Sequence, residues 1–580
     1  MNKTPQFDKA LAEYFSGLLP DENGGQTRKC AFSGAEFYIR SEDINFYKKI
    51  GVPLPTLEPA ERWRRLMAYQ NVHNLFYVKS AYSGKEIIAA YPPDTPFKIY
   101  EHQVWFSDKW DPLDYGKAWN KDRGFFEQFA ELREDVPRPN LMTDTTNVGS
   151  DFTNTSTHLK NCYLTFSSLG GENLYYFDGS QKCADCVDCD YLENSNNCYN
   201  CQLVQDSFRC FWCEQSRSCL GSYFLFDCSN CQDCFMSSNL RNKKYYFRNQ
   251  PLSKEEYQEK MKEVYIGDYN KLQIYLAEFA ELKQNVFYKP DHNFRSVNSY
   301  GDYIENSKDC YWSYYAYDSQ NVNYSMGFVD FKDSYDLFGG ANGQLCCGTT
   351  SVTAGNNYEV KFSSQADNSR NVEYSDLLRN CRDCFGCVGL ANKSFCILNR
   401  QYGEEEYWKI VDEIKSSMFA RGEYGEFFSP ELMPIPYKLS IISSYSGFDD
   451  FDNAARYGYD VSEPPVQKNK EMENAMRASE LPSDIKDAGD DILNKVIHDE
   501  KNDKYFRIVK YELEFYRRNN LPLPREHPLA RLAKFRKIYG LRLKFYARNC
   551  KKCGISIESV YNPERYENVY CKECYEVEVA

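Results

Sequence analysis

Residues twelve positions apart resemble one another over two long tracts of this chain, and that fixed period restricts the fold more than any other feature. Stepping forward from Asn161-Cys162-Tyr163 reaches Asn173-Leu174-Tyr175, Asp185-Cys186-Val187, Asn197-Cys198-Tyr199, Arg209-Cys210-Phe211, Gly221-Ser222-Tyr223 and Asp233-Cys234-Phe235. A small residue or thiol precedes an aromatic or β-branched one, and Asn or Asp usually leads. A second thiol column follows at Cys189, Cys201 and Cys213. The second tract runs through Cys310, Val322, Ser334, Cys346, Tyr358, Val372, Cys384 and Cys396, with one step of fourteen between Tyr358 and Val372. The two tracts close alike, Asn242-Lys243 against Asn392-Lys393, at an offset of 150.

Such a period, rich in Asn, Asp and small residues, predicts a β-rich repeat. The expected fold is a parallel β-solenoid in two tracts of about eight coils, with helical insertions and small zinc-ribbon-like α+β end modules. At a strand spacing of about 4.8 Å, eight coils stand about 38 Å tall. Asn suits tight corners because it tolerates left-handed backbone. Coils of twelve or of twenty-four residues both satisfy the period; the shorter has a narrow interior, fit for thiols and Ser rather than stacked Tyr. Neighbours on a strand face opposite ways. If Cys points in, the ladder Tyr163, Tyr175, Tyr199, Phe211, Tyr223 and Phe235 points out. It is then either covered by helices or offered to a protein partner. Helical spacing occurs around Phe125–Arg133, Lys254–Tyr265, Gln273–Leu282 and Glu404–Met418.

The 24 cysteines follow this plan: Cys30 alone, twelve from Cys162 to Cys234, seven from Cys310 to Cys396, and four at the end. The polar start MNKTPQFDKALAEYFSGLLPDENGG has no signal-peptide character, and no apolar run approaches the length of a membrane span. A cytoplasmic protein is expected, with its thiols unpaired. Within the tracts, Cys183-x-x-Cys186-x-x-Cys189 and Cys381-x-x-Cys384-x-x-Cys387 look like ligand runs, but the repeat itself generates that spacing. Buried small hydrophobes are the simpler reading.

The C-terminal set differs. Cys550-x-x-Cys553-Gly554 and Cys571-x-x-Cys574 form two knuckles with zinc-ribbon spacing, predicting one structural Zn²⁺ held by four thiolates. Subtracting 470 sets Ser80, Ser83, Gly84, Glu101 and Val104 on the same positions, a ribbon without its ligands. Subtracting 469 sets Phe46-Tyr47, Pro53-Leu54-Pro55 and Arg62 on Phe515-Tyr516, Pro522-Leu523-Pro524 and Arg531. A further lost knuckle pair falls at Cys30/Ser33 with Glu58/Glu61, and again at Asp499/Asn502 with His527/Ala530.

With these motifs, above all Trp105–Pro112, Asn392–Asn399 and Cys550–Cys574, the chain resembles a protein family of candidate-phyla bacterial genomes. That family joins CxxC zinc-ribbon modules to a Cys/Tyr/Asn-rich repeat tract. The resemblance spans nearly the whole length and implies architecture only. It also implies CxxC pairs where this chain has Ser80/Ser83, Glu58/Glu61 and Glu101/Val104.

Net charge is −14, yet Arg507–Lys552 holds 14 Lys or Arg and 3 Asp or Glu, whereas Asp151–Leu240 holds 11 acids and 4 bases. Lys534, Arg536, Lys537, Arg542, Lys544 and Arg548 interleave with aromatics, a pattern suited to nucleic acid. The expected organisation is a metal-free ribbon-like module (1–110), a helical connector (111–145), tract one (146–250), a helical insertion (251–295) and tract two (296–400). A helix (401–430), a linker (431–495) and a basic module with the zinc ribbon (496–580) follow. No nucleophile–base pair and no phosphate-cradling Gly motif occur. The first functional expectation is a non-catalytic scaffold with a protein partner. A nucleic-acid-associated factor and a β-helix-type enzyme are the alternatives.

Overall fold

A computed structural model describes residues 3–143, 145–352, 355–463, 470–539 and 544–579. The chain divides into two compact units: Met1–Asn140 with Asp291–Pro464 (unit 1), and Leu141–Pro290 with Pro465–Ala580 (unit 2). The amino-terminal module therefore belongs with the second tract, and the carboxy-terminal module with the first.

Both tracts are β-rich, with parallel strands. In unit 2, Tyr163 pairs with Tyr175, Asp190 with Gln202 and Tyr223 with Phe235. Single bridges link Val187, Tyr199, Phe211 and Tyr223 in succession. The register is twelve, not twenty-four. In unit 1 Asn323 pairs with Tyr335 and Tyr335 with Cys347, but Cys347 pairs with Lys361. The fourteen-residue step thus falls between Cys346 and Val360, one period earlier than the sequence suggests. Val360 is fully buried, while Tyr358, paired with Gln344 and Arg370, is 37% exposed.

A shorter period underlies the twelve. Asp185, Asp188, Tyr191, Asn194, Asn197 and Asn200 all have φ between +46° and +54°. The residue after each, namely Cys186, Cys189, Leu192, Ser195, Cys198 and Cys201, is buried. Every third residue is therefore a left-handed corner. Such corners cost about 1–2 kcal/mol for most side chains and least for Asn and Asp. Bonds between successive periods, such as Asn197 N–H to Ala184 C=O at 3.0 Å and Val187 N–H to Cys198 C=O at 3.1 Å, offset this at about 0.5–1.5 kcal/mol each. Corner amides add their own ladder: Asn368 donates to Asn380 (2.9 Å), and Asn380 to Asn392 (3.0 Å).

The buried columns explain the abundance of Ser and Cys. An inward backbone N–H has no partner along its own strand, so the side chain twelve residues earlier accepts it. Ser195 Oγ accepts from Ser207 N–H (3.2 Å) and donates to Glu193 C=O (2.9 Å); Ser207 Oγ does the same for Cys219 N–H (3.0 Å) and Gln205 C=O (2.8 Å). Cys201 Sγ accepts from Cys213 N–H (3.4 Å) and donates towards Cys210 C=O (3.1 Å). Burial pushes Cys162 and Cys310 up to about 11 and Cys346 to about 12. The columns also hold Phe177, Phe328 and Phe331, so the interior is wider than thiols alone require.

All four expected helices are present: Phe125–Asp135, Lys254–Glu263, Tyr269–Gln284 and Glu404–Ala420. They cover the aromatic faces of their own unit. In unit 1, Phe125 meets Tyr374 and Phe385 edge-on, and Tyr407 meets Phe395. In unit 2, Tyr275 and Phe279 pack on Phe224. The expected linker 431–495 is not a free tether over its described residues. Leu432, Tyr437, Leu439 and Ile442 are buried in unit 1, where Ile441 N–H bonds Gln70 C=O (2.9 Å); Leu481, Ile485 and Ile492 are buried in unit 2. Its apolar residues are anchored through short 3₁₀ turns, which hydropathy averaging conceals. No described helix is long and apolar enough to cross a membrane.

Candidate metal centre and its metal-free counterparts

The hairpin Tyr546–Asn549 and Ser556–Ser559 turns through Cys550–Gly554. Cys550 N–H bonds Ile555 C=O (2.8 Å), and Gly554, at φ +78°, returns its N–H to Cys550 C=O (3.0 Å). Glycine suits that left-handed corner, which turns the chain back after the first knuckle. The second knuckle opens the helix Lys572–Val579. The four Sγ atoms of Cys550, Cys553, Cys571 and Cys574 lie within 4.8 Å of one another, the only such group of potential ligands among the described residues. Cys571 N–H points at Cys550 Sγ (3.2 Å) and Cys574 N–H at Cys571 Sγ (3.4 Å). Burial opposes ionisation of Cys550, but N–H groups from Cys553, Cys571 and Lys552 win and bring it down to about 6. The arrangement can hold a metal ion as a thiolate cage with every protein position filled.

The same turn recurs three times without that ligand set. Cys30–Gly34 and Ser80–Gly84 repeat both backbone bonds, with the glycines at φ +73° and +72°. At the first, Ser33 Oγ donates to Glu58. At the second, Ser80 (2.6 Å) and Ser83 both donate to Glu101. Burial alone would raise Glu101; the two hydroxyls hold it below the usual carboxylate range. At the third, Asp499 accepts from Asn502 Nδ2 (2.7 Å) and from His527 N–H (2.8 Å). The last bond repeats, with oxygen for sulfur, the one from Cys571 N–H to Cys550. The two knuckle halves that a metal ion could join in the last copy are joined elsewhere by a carboxylate.

Docking of modules on tracts is also duplicated, and individual motifs give no sign of it. In unit 1, Arg62 Nε pairs with Asp336 (2.8 Å), Tyr47 Oη donates to Asp336 (3.0 Å) and Tyr324 Oη to Asp43 (2.6 Å). In unit 2, Arg531 pairs with Asp188 (2.8 Å), Tyr516 Oη donates to Glu512 (2.7 Å) and Tyr176 Oη to Glu512 (2.7 Å). Arg62 and Arg531, Tyr47 and Tyr516, and Asp43 and Glu512 are 469 apart; Asp336 and Asp188, and Tyr324 and Tyr176, are 148 apart. Checking charged residues at both offsets would have found these pairs. Burial pushes Asp188 up to about 7, against the pull of Arg531. It pushes Asp190 to about 8, with Asp178 adding to the rise.

The basic segment is placed accordingly. Arg536 is buried against Asp178 (3.3 Å), which removes it from any nucleic-acid face. Lys534 is exposed and paired with Glu526 (2.6 Å), Lys544 is exposed over Tyr546, and Arg548 donates to the Tyr561 and Glu567 carbonyls. Arg542 and the Lys537 side chain lie outside the described residues. The aromatic ladder is covered by its own unit. Tyr199, Phe211 and Phe235 are buried, Tyr163, Tyr175 and Tyr223 are half-buried, and Tyr511 stacks on Tyr175 at 4.5 Å. Burying rings removes more apolar surface from water than leaving them out, so of the two sequence expectations the structure shows cover, complete over three rings and partial over the other three. The chain matches no protein-family model and no curated protein.

Proposed function

We propose that the chain is a non-catalytic cytosolic binding scaffold: two parallel β-solenoid tracts of twelve-residue coils, each braced by a pair of zinc-ribbon-type modules. Zinc is the resident ion of Cys550, Cys553, Cys571 and Cys574, because a compact set of four thiolates favours it and leaves no open position for water. Buried columns filled with side chains leave a partner only the outer faces, where Phe208 (46% exposed) and Leu220 (40%) stand one period apart. Unpaired thiols throughout suit a reducing compartment.

The observation that carries this reading over nucleic-acid binding is the internal engagement of the basic segment. Arg531 and Arg536 are buried against acids of their own unit and so are not offered to phosphate. The full chain is expected to flow through immobilised single- or double-stranded nucleic acid at low salt. Retention that weakens as salt rises would overturn the scaffold reading in favour of the nucleic-acid one. Metal analysis is expected to give about one zinc per chain; a chain purified without metal would remove the cage.

A further inference from the structure

The two units differ at one docking position in a way that opens a groove. In unit 1, Arg40 precedes the helix Ser41–Ile50, and its guanidinium carbon lies 3.6 Å from the ring centroid of Tyr311. Asp43 anchors that guanidinium through Nη2 (2.7 Å) and Nε (3.1 Å). The equivalent of Arg40 at offset 469 is Val509, and that of Tyr311 at offset 148 is Tyr163. The backbone is kept: Arg40 N–H bonds Asp43 (3.1 Å), and Val509 N–H bonds Glu512 (3.3 Å). The cationic side chain is not. Beside Val509 lies an open groove lined by Asp151, Phe152, Tyr163 and Tyr175.

The acid in this groove has no counterpart in unit 1. The twelve-residue register that pairs Thr153 with Thr165 sets Asp151 one period above Tyr163, on the line of the aromatic ladder. Its equivalent in unit 1 is Tyr300, which a step of eleven pairs with Tyr311 and which stacks on that ring, while Ser299, accepting from Cys310 N–H, takes the place of Ser150. Where unit 1 has an internal arginine over tyrosine, unit 2 has a short apolar residue, a groove, and an exposed carboxylate at its rim. Phe152 meets Tyr163 edge-on at 5.2 Å, and Tyr511 holds Tyr175 flat, so the aromatic walls are fixed beforehand.

We propose that this groove receives an arginine side chain of a partner protein, stacked in the manner of Arg40 with Asp151 accepting its outer N–H groups. The proposal rests on the scaffold reading and supplies it with a recognition element. Charge complementarity favours it at the rim itself, where Asp151 is the exposed carboxylate of the groove lining. Guanidinium is preferred to ammonium because a flat, weakly hydrated cation covers an aromatic ring while keeping edge donors for the carboxylate.

One side chain at such a site binds in the millimolar range, which suits saturation-transfer NMR on the full chain. The probe is Nα-acetyl-arginine amide, with its citrulline counterpart as neutral isostere and free arginine as a third arm. The arginine amide should receive saturation and the citrulline amide should not. Val509→Arg, which restores the unit 1 arrangement, should weaken binding about tenfold or more with no loss of thermal stability. Asp151→Asn should weaken it a few-fold. Should Val509→Arg unfold the module, Tyr163→Leu carries the same comparison. Equal saturation of the citrulline amide, or binding untouched by these substitutions, would overturn the proposal. Free arginine binding ten times more tightly than the capped form would also overturn it, in favour of a small-molecule site. Such failures leave the nucleic-acid flow-through result, and with it the scaffold reading, as they stood.

Discussion

Unit 1 and unit 2 are assembled from the same parts, but their ribbons are closed by different chemistry. Unit 1 uses Ser33 with Glu58, and Ser80 with Ser83 and Glu101; unit 2 uses Asp499 with Asn502 and His527 in one copy and four cysteines in the other. The backbone turn is the same in Cys30–Gly34, Ser80–Gly84 and Cys550–Gly554. Metal is therefore not what shapes the knuckle. A ribbon docked on a large tract, with Arg62 on Asp336 or Arg531 on Asp188, draws its stability from that interface and can lose its ligands. The cost of losing them depends on what replaces the metal as a cross-link.

The sharpest way to break this comparison is to disable the four-cysteine cluster in the one copy that has it. Cys571→Ser, or strong chelation, should unfold the ribbon from Tyr546 onward. Thiolate cages of this kind contribute many kcal/mol to small modules, on the order of 10 in isolated fingers. Hydrogen exchange should rise across 546–579 and stay unchanged across 26–105. Equal loosening of both ends would show that the carboxylate-closed ribbons depend on the metal too.

Next in size are the docking arginines. Arg62→Ala strands Asp336, while Asp43 keeps Arg40. Arg531→Ala strands both Asp188 and Glu512, and Val509 offers no second cation. Removing one partner of a buried pair costs about 3–5 kcal/mol. Denaturant unfolding should place Arg62→Ala at the low end of that range and Arg531→Ala at the high end; the reverse order would dissolve the proposed equivalence of the two clusters.

This pairing shows where sequence reading stopped. The period of twelve was legible because side chains stack in columns and like residues recur. The period of three was not, because the left-handed corners accept Tyr176, Trp212, Phe224 and Met236 as well as Asn, hiding the corner behind residues that normally avoid it. Zinc-ribbon spacing was legible from four cysteines alone, and the lost copies from glycine and proline positions. The docking ion pairs were not, since each joins two duplications with different offsets. The aromatic ladder was read correctly as outward from the buried columns, but only tertiary contacts decide what lies over an outward face. Arg536 teaches the same lesson with charge.

Acidity separates the units by a smaller amount. Asp188 at about 7 and Asp190 at about 8 hold protons in folded unit 2 that the unfolded chain releases near 4. Folded unit 2 thus binds more protons through this window, and its stability falls as pH rises, by about 3 kcal/mol between pH 6.5 and 8.5. His527 acts below that window. Burial lowers it to about 4, so its own contribution is lost as pH falls from 6.5. Unit 1 has Glu373, which burial would raise but which Lys415 and Lys361 hold at about 2. Its contribution is intact above pH 4.5 and is lost only in stronger acid. Unfolding monitored by hydrogen exchange at pH 6.5 and 8.5 should weaken unit 2 and leave unit 1 level.

The smallest expected effect tests the carboxylate closure itself. In Glu101→Gln the amide keeps one acceptor for Ser80 or Ser83 but loses the charge that strengthens both bonds. The site is largely open to solvent, so water replaces much of what is lost and the cost should stay near 0.5–1 kcal/mol. Glu101→Ala, which leaves neither acceptor, should cost about twice as much, with faster exchange confined to 76–105. A carboxylate that joins two halves as metal does makes the knuckles loosen together. If only Ser80 and Ser83 respond while the helix His102–Trp105 keeps its protection, the bond is decorative, and packing of Trp105 against Trp110 and Phe106 holds that half in place.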